Sequence, residues 1–298
     1  MSLLEIKDLT FTYGTGTAFE KTAVKNISLS IEKGEFIGII GHTGSGKSTL
    51  IQMLNGLIRP TSGQVLLDGS DIWEKPKNIR NVRFRVGMVF QYPEYQLFEE
   101  TVEKDIAYGP KNMGLSDEEI KGKVADAARF VDLKPELLKK SPFELSGGEK
   151  RRAAIAGVIA MDPEIVILDE PTAGLDPKGR DVLLTQIATY HKAKGNTVLL
   201  VSHSMEDISK IADRILVMDH GGMYAFDTTD NVFSKGEELE KIGLQIPQIT
   251  KIMLALSRSG YKVPNNVYSV EQAVMEILKL RKTGLTPKKP VLEKGEGI

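Results

Sequence analysis

Gly41-His42-Thr43-Gly44-Ser45-Gly46-Lys47-Ser48 decides how the rest of this chain is read. An apolar run, Phe36 to Ile40, precedes it as a buried strand, and a helix is expected from about Ser48 to Asn55. Glycines at this spacing let successive backbone N–H groups wrap a phosphate chain. Lys47 reaches the terminal phosphates, and the hydroxyl of Ser48, with Thr49 beside it, faces a Mg²⁺ ion. The candidate phosphate cradle is therefore Gly41, His42, Thr43, Gly44, Ser45, Gly46, Lys47, Ser48 and Thr49.

Further runs have the length of buried strands: Val65-Leu66-Leu67, Gly87-Met88-Val89-Phe90, Ile165-Val166-Ile167-Leu168 and Thr197-Val198-Leu199-Leu200-Val201. The last two follow helical stretches, and a helical pattern is expected from Ser116 to Phe143. Ile215 to Ala225 reads as a hairpin across Asp219-His220-Gly221-Gly222. Strands alternating with helices predict an α/β fold with a parallel core and ligands at the carboxyl ends of its strands. Residues 3–40 read as an N-terminal β region.

Several polar residues fall at those strand ends. Asp169 suits a Mg²⁺ ligand through water, and Glu170 can polarise an attacking water. In isolation the same pair is simply an acidic strand cap. His203 follows Val201-Ser202 and should converge on the same edge, holding a γ-phosphate or the water geometry. Gln91, after Met88-Val89-Phe90, offers a neutral amide that can touch Mg²⁺ or the water and swing away. Tyr92 to Phe98 is unusually aromatic and apolar for a loop, so it reads as a docking surface or as core packing. Tyr13 either stacks on an adenine or packs on its hairpin.

Leu145-Ser146-Gly147-Gly148-Glu149 presents a second anion site without a lysine. Ser146 and Glu149 have capping-box spacing and open a helix at Lys150. Gly147 and Gly148 leave first-turn N–H groups bare. Either this is a well-capped helix, or it serves a nucleotide bound by another molecule.

Bulk properties exclude several classes. The 298 residues carry a net charge of −1, so no basic field argues for nucleic acid. There is no cysteine, which excludes disulfides and thiolate chemistry. No apolar run approaches the ~20 residues of a membrane span, and the N-terminus lacks the charged and apolar regions of a signal peptide. Composition shifts after about Ser234. Ile246–Leu256 and Ser269–Leu280 are amphipathic, with Val270, Val274 and Ile277 on one face. They are expected to form a small helical appendage, packed on its own core or serving as a second dimer contact. The tail from Thr283 is expected to be disordered.

Together these residues resemble the ATPase subunits of ABC transporters over about residues 3–230. In that family's terms Gly41–Ser48 is Walker A, Gln91 the Q-loop, Leu145–Glu149 the signature and Ile165–Glu170 Walker B. Gly174-Leu175-Asp176 is the D-loop and His203 the switch histidine. The resemblance implies an ATPase domain over 1–234, with an antiparallel β subdomain and a helical signature subdomain at about 92–160. An appendage over 235–282 and a tail over 283–298 complete the chain. It implies ATP as substrate, Mg²⁺ as cofactor, catalytic Glu170, His203 and Gln91, and Ser48, Gln91 and Asp169 toward the metal.

Phe90 to Phe98, Ala107-Tyr108-Gly109-Pro110 and the appendage are similar to the energy-coupling factor and cobalt-type group, and Tyr13–Lys21 to the second of its paired ATPases. The resemblance further implies a second ATPase subunit (paralogue or self), a transmembrane coupling subunit and, indirectly, a membrane substrate-binding subunit. The place of work would be the cytoplasmic face of the cell membrane, where the chain is held peripherally. A cobalt/nickel-type importer and a soluble ABC protein acting on ribosomes or DNA are the rival readings. In the family, Ser146, Gly147 and Gly148 would meet the ATP bound by the partner subunit.

Overall fold

The computed structural model describes residues 2–283. The expected tail lies outside them, apart from Thr283 itself. In chain order the elements begin with strands β1 (Ser2–Tyr13), β2 (Lys21–Glu32) and β3 (Phe36–Gly41), then helix α1 (Lys47–Leu54). Strands β4 (Ser62–Leu67) and β5 (Ser70–Asp71), helix α2 (Ile79–Arg85) and strand β6 (Val86–Val89) follow. Helices α3 (Val102–Asn112), α4 (Asp117–Phe130) and α5 (Gly147–Ile159) come next. The core then closes with β7 (Ile165–Asp169), α6 (Pro177–Lys194), β8 (Thr197–Val201), α7 (Met205–Ile211), β9 (Arg214–Asp219) and β10 (Gly222–Thr228). Helices α8 (Thr229–Ser234), α9 (Gly236–Lys241), α10 (Gln248–Arg258) and α11 (Val270–Thr283) end the described chain.

Two sheets organise these elements. One is antiparallel, in the order β2-β1-β4-β5; the other runs β10-β9-β3-β8-β7-β6 and is parallel except for its β9–β10 hairpin. Strands β3, β7 and β8 are buried at every residue. That explains why they read as unbroken apolar runs rather than alternating ones. β3, β8, β7 and β6 point the same way, so their carboxyl ends deliver Gly41, Ser202, Asp169 and Phe90 to one edge.

The helical stretch expected from Ser116 to Phe143 is shorter in the structure. Ser116 opens α4 with a complete capping box, and the α-helix stops at Phe130. Asp132 then takes a left-handed φ of 53°, and Pro135 and Pro142 open two short 3₁₀ turns. Proline cannot supply the N–H that a continuing helix needs.

Downstream of Ser234, apolar packing continues into the core: Leu239, Leu244, Ile246 and Leu254 belong to the cluster holding β3, β7 and β8 side chains. Met253, Val267 and Ala273 form a small cluster of their own. Ser269 and Gln272 exchange capping hydrogen bonds at the start of α11. Val270, Val274 and Ile277 remain exposed.

Candidate nucleotide site

The loop after β3 is held in shape by contacts only glycine allows. A Cβ on Gly41 would strike the Met218 carbonyl and Ser45 Oγ, and one on Gly46 the Ala23 carbonyl. Gly46 also has a φ of +100°, which residues with a Cβ rarely adopt. Lys47 is buried, and its Nζ donates to the carbonyl oxygens of Gly41 (2.7 Å) and His42 (3.0 Å). Burial lowers its pKa, against the raising influence of Glu170 and Asp169. The ammonium is thus held on the loop's own carbonyls and feels the charge of two carboxylates.

Asp169 ends β7 and is buried. Burial raises its pKa, partly offset by a hydrogen bond from Ser48 and by the charge of Lys47. Glu170 leaves the strand with a left-handed φ of 50°, while its N–H still donates to the Val201 carbonyl (3.0 Å). A non-glycine residue held there costs on the order of 1–3 kcal/mol, a strain concentrated at functional sites. Its two carboxylate oxygens are both engaged. His203 Nε2 lies 2.6 Å from Oε1, and the Gln91 side-chain amide donates to Oε2 at 3.1 Å.

An open cleft of about 430 Å³ is lined by Tyr13, Thr43, Gly44, Gly46, Lys47, Ser48, Thr49, Gln91, Glu170 and His203. Most of the sequence-derived residues thus meet in one place. Lys21 and Ala23 of β2 also line it. No local pattern marks these two, because only the folding of the antiparallel sheet over the loop brings them there. Gly41, His42 and Ser45 lie behind the lining: Ser45 is fully buried, and the His42 ring faces Asp219. Tyr13 bonds Thr49 Oγ1 through its hydroxyl (3.1 Å) and meets Phe11 edge-on. The residue is 44% exposed beside the cleft.

Leu145–Glu149 contributes nothing to that cleft. Leu145 is buried as an anchor, and Ser146 caps α5 in a complete capping box with Glu149. A Cβ on Gly147 or Gly148 would meet nothing within 4 Å. Among the described residues, none therefore requires glycine at either position. Asp176 accepts from the Gly179 N–H (2.7 Å) as the cap of α6 and shares a second hollow with Gly148 and Arg152.

One linkage escaped the sequence reading. Arg151, on α5, reaches Glu94 beyond the Gln91 loop at 2.9 and 3.1 Å. It also donates to the carbonyls of Pro171 (3.1 Å) and Ala173 (2.7 Å), just after Glu170. It ties α5, the Gln91 loop and the segment after β7 into one knot. Burial pushes the Glu94 carboxyl up, but the Arg151 hydrogen bond and charge hold it below its ordinary value.

The profile of the ABC transporter family matches residues 24–173. A Clostridium acetobutylicum protein described as "Energy-coupling factor transporter ATP-binding protein EcfA2" is 52% identical over 93% of this chain and 97% of its own length. Its Clostridium tetani namesake is 53% identical over 93% and 96%. Among solved structures, cbiO1 from Clostridium perfringens, part of the ABC transporter complex cbiONQ, superposes with a TM-score of 0.72 at 36% identity. That match covers 85% of this chain and 99% of the other. The ATP-binding cassette MJ0796, a dimer in a post-hydrolysis state bound to ADP and Pi, gives 0.68 at 28% identity, covering 76% and 98%.

Proposed function

Since this chain belongs to the ABC transporter family, and within it to the energy-coupling factor ATP-binding subunits, we propose that it hydrolyses ATP at a site shared between two subunits. It is the ATPase subunit of an energy-coupling factor importer. The Glu170–His203–Gln91 cluster at the mouth of the Lys47 loop is the observation that carries the chemistry. On this reading the triphosphate lies along residues 41–48, and Lys47 exchanges two carbonyl partners for phosphate oxygens. Tyr13 stacks on the base.

Glu170 orients the attacking water and takes its proton as the water oxygen bonds to the γ-phosphorus and the bond to ADP breaks. His203 leaves Glu170 to hold the γ-phosphate. Ser48, Asp169 and the Gln91 amide form an oxygen-donor set that fits Mg²⁺, a hard cation. When bound, Mg²⁺ neutralises developing charge on the β- and γ-phosphate oxygens. Ser146 and the bare amides of Gly147 and Gly148 close over the partner's ATP, which accounts for glycines that no described residue of their own chain requires.

Closure would be transmitted through Gln91–Phe98 to a transmembrane coupling subunit. Tyr92, Tyr95 and Phe98 are exposed there. The partner ATPase is a paralogue or a second copy, and the imported solute is a vitamin or other micronutrient selected by a membrane substrate-binding subunit. Relatives named for energy-coupling factor transport reach 53% identity over 93% of the chain, which supports that importer class. Among the described residues no helix is long and apolar enough to cross a membrane, so attachment at the cytoplasmic face would run through those subunits. The test is Glu170→Gln: turnover should fall about 10²–10⁴-fold with ATP binding nearly unchanged. Wild-type turnover in that variant would remove Glu170 as the base.

A further inference from the structure

Outside the residues that line the cleft lies a cluster that the ATPase reading leaves unused. His42 Nε2 is 3.0 Å from Asp219 Oδ1, and His220 Nε2 is 3.8 Å from the same oxygen. All three ligand atoms fall within 4.8 Å of one another. We propose that His42, Asp219 and His220 bind a divalent transition-metal cation of the zinc and cobalt class. The ion would clasp the phosphate loop to the β9–β10 hairpin.

Three observations converge on this. The first is hydrogen-bond accounting. His42 Nδ1 lies 2.9 Å from the Thr43 carbonyl oxygen, which can only accept, so Nδ1 carries the proton. In the neutral ring the Nε2 lone pair then points at a carboxylate oxygen. Two acceptors then face each other unless a proton or a metal cation lies between them. A backbone carbonyl that fixes one ring nitrogen while the other faces a cation is the usual outer-shell support of a metal-ligating histidine.

The second is spacing. A tetrahedral ion with bonds of about 2.0–2.1 Å holds its ligand atoms roughly 3.3 Å apart. The observed 3.0 and 3.8 Å separations straddle that value, so small side-chain adjustments seat an ion. Two imidazoles and one carboxylate suit zinc-like ions, and a water would complete the four-coordinate shell.

The third is the turn that supplies two of the ligands. His220 and Gly221 both have positive φ, 45° and 84°, which is the pattern of a tight two-residue hairpin turn. Asparagine, aspartate or glycine usually fill the first of these positions. Here a histidine occupies it and aims its Nε2 at the Asp219 carboxylate. The turn is already bonded to the phosphate loop, since the Gly221 N–H donates to the Ser45 carbonyl at 3.1 Å. An ion at the cluster would add a second tie between the same two segments.

Titration of the untagged, nucleotide-free full chain with Co²⁺ reads the site directly through its visible ligand-field absorption. The expected result is one Co²⁺ per chain, displaced stoichiometrically by Zn²⁺. His220→Asn suits the turn and removes a ligand from an exposed position, so it keeps the fold. It should weaken binding at least about tenfold, the smallest loss seen even when an outer-shell partner is removed. Asp169→Asn, at the separate Mg²⁺ position, should leave the Co²⁺ spectrum unchanged. Absence of ligand-field absorption would overturn the proposal. So would a band of equal strength and affinity in His220→Asn. Either result would make the His42–Asp219 pair a plain imidazole–carboxylate contact with no metal.

Discussion

Replacing Arg151 with methionine keeps most of the side-chain volume on α5 and removes the charge that binds three segments together. Arg151 is 6% and Glu94 17% exposed, so the change strands a largely dehydrated carboxylate. It also leaves the Pro171 and Ala173 carbonyls without their donor. Breaking a buried pair by removing one partner costs about 3–5 kcal/mol. Glu94 keeps some access to water, which places the expected loss near the lower end, about 3 kcal/mol. Equilibrium urea denaturation of the nucleotide-free chain measures it. In the Arg151→Met background, Glu94→Gln should cost at least about 1 kcal/mol less than it does in the wild type, because the two groups are in direct contact.

The pH dependence has a definite sign. Glu94 has a folded-state pKa below its ordinary 4.5. The stability it gains from Arg151 is therefore present above that ordinary value and lost as pH falls through the folded value. The wild-type advantage over Arg151→Met should shrink in acid. A loss below about 1 kcal/mol at neutral pH, the level of a solvent-exposed pair, would refute the reasoning.

Two other consequences separate chain stability from function. Gly147→Ala meets no neighbour and sits inside a helix, so the isolated chain should hold its stability or gain up to about 1 kcal/mol in urea denaturation. ATP turnover by the assembled transporter should nonetheless fall; unchanged turnover would mean that this helix start meets no phosphate. Asp169→Asn should stabilise the nucleotide-free chain at neutral pH. Burial raises the folded-state pKa of Asp169, so the carboxylate penalises the folded state above that value. The gain fades as pH falls toward the ordinary 3.8, where the carboxyl is protonated in both states. Equal stability of variant and wild type across pH 4–8 would contradict the assigned burial.

The elements that read clearly in sequence are those whose local pattern and buried environment agree. β3, β7 and β8 are unbroken apolar runs because both sheet faces are covered, and their ends carry Gly41, Asp169 and His203 to one edge. The capping boxes at Ser116 and Ser146 are local, so spacing alone locates those helix starts. What escaped depends on distant partners. Arg151 and Glu94 are 57 positions apart, and neither residue type predicts burial. His42 looked like part of the phosphate loop by position, yet its ring faces Asp219, 177 positions away. Exposure of Val270, Val274 and Ile277 could not be foreseen from their amphipathic spacing, which fits a packed face equally well.

The central claim is that Ser146, Gly147 and Gly148 act on a nucleotide held by another subunit. It is tested most directly in the transporter assembled with its partner ATPase, with this chain's own site silenced by Glu170→Gln. Residual hydrolysis then reports the partner's phosphate loop alone. Adding Ser146→Arg to this chain should abolish that hydrolysis while ATP binding by the isolated chain at Lys47 stays within about twofold, a difference under 0.5 kcal/mol. Unchanged partner hydrolysis, or a matching loss of ATP binding in the isolated chain, would contradict a site divided between two subunits.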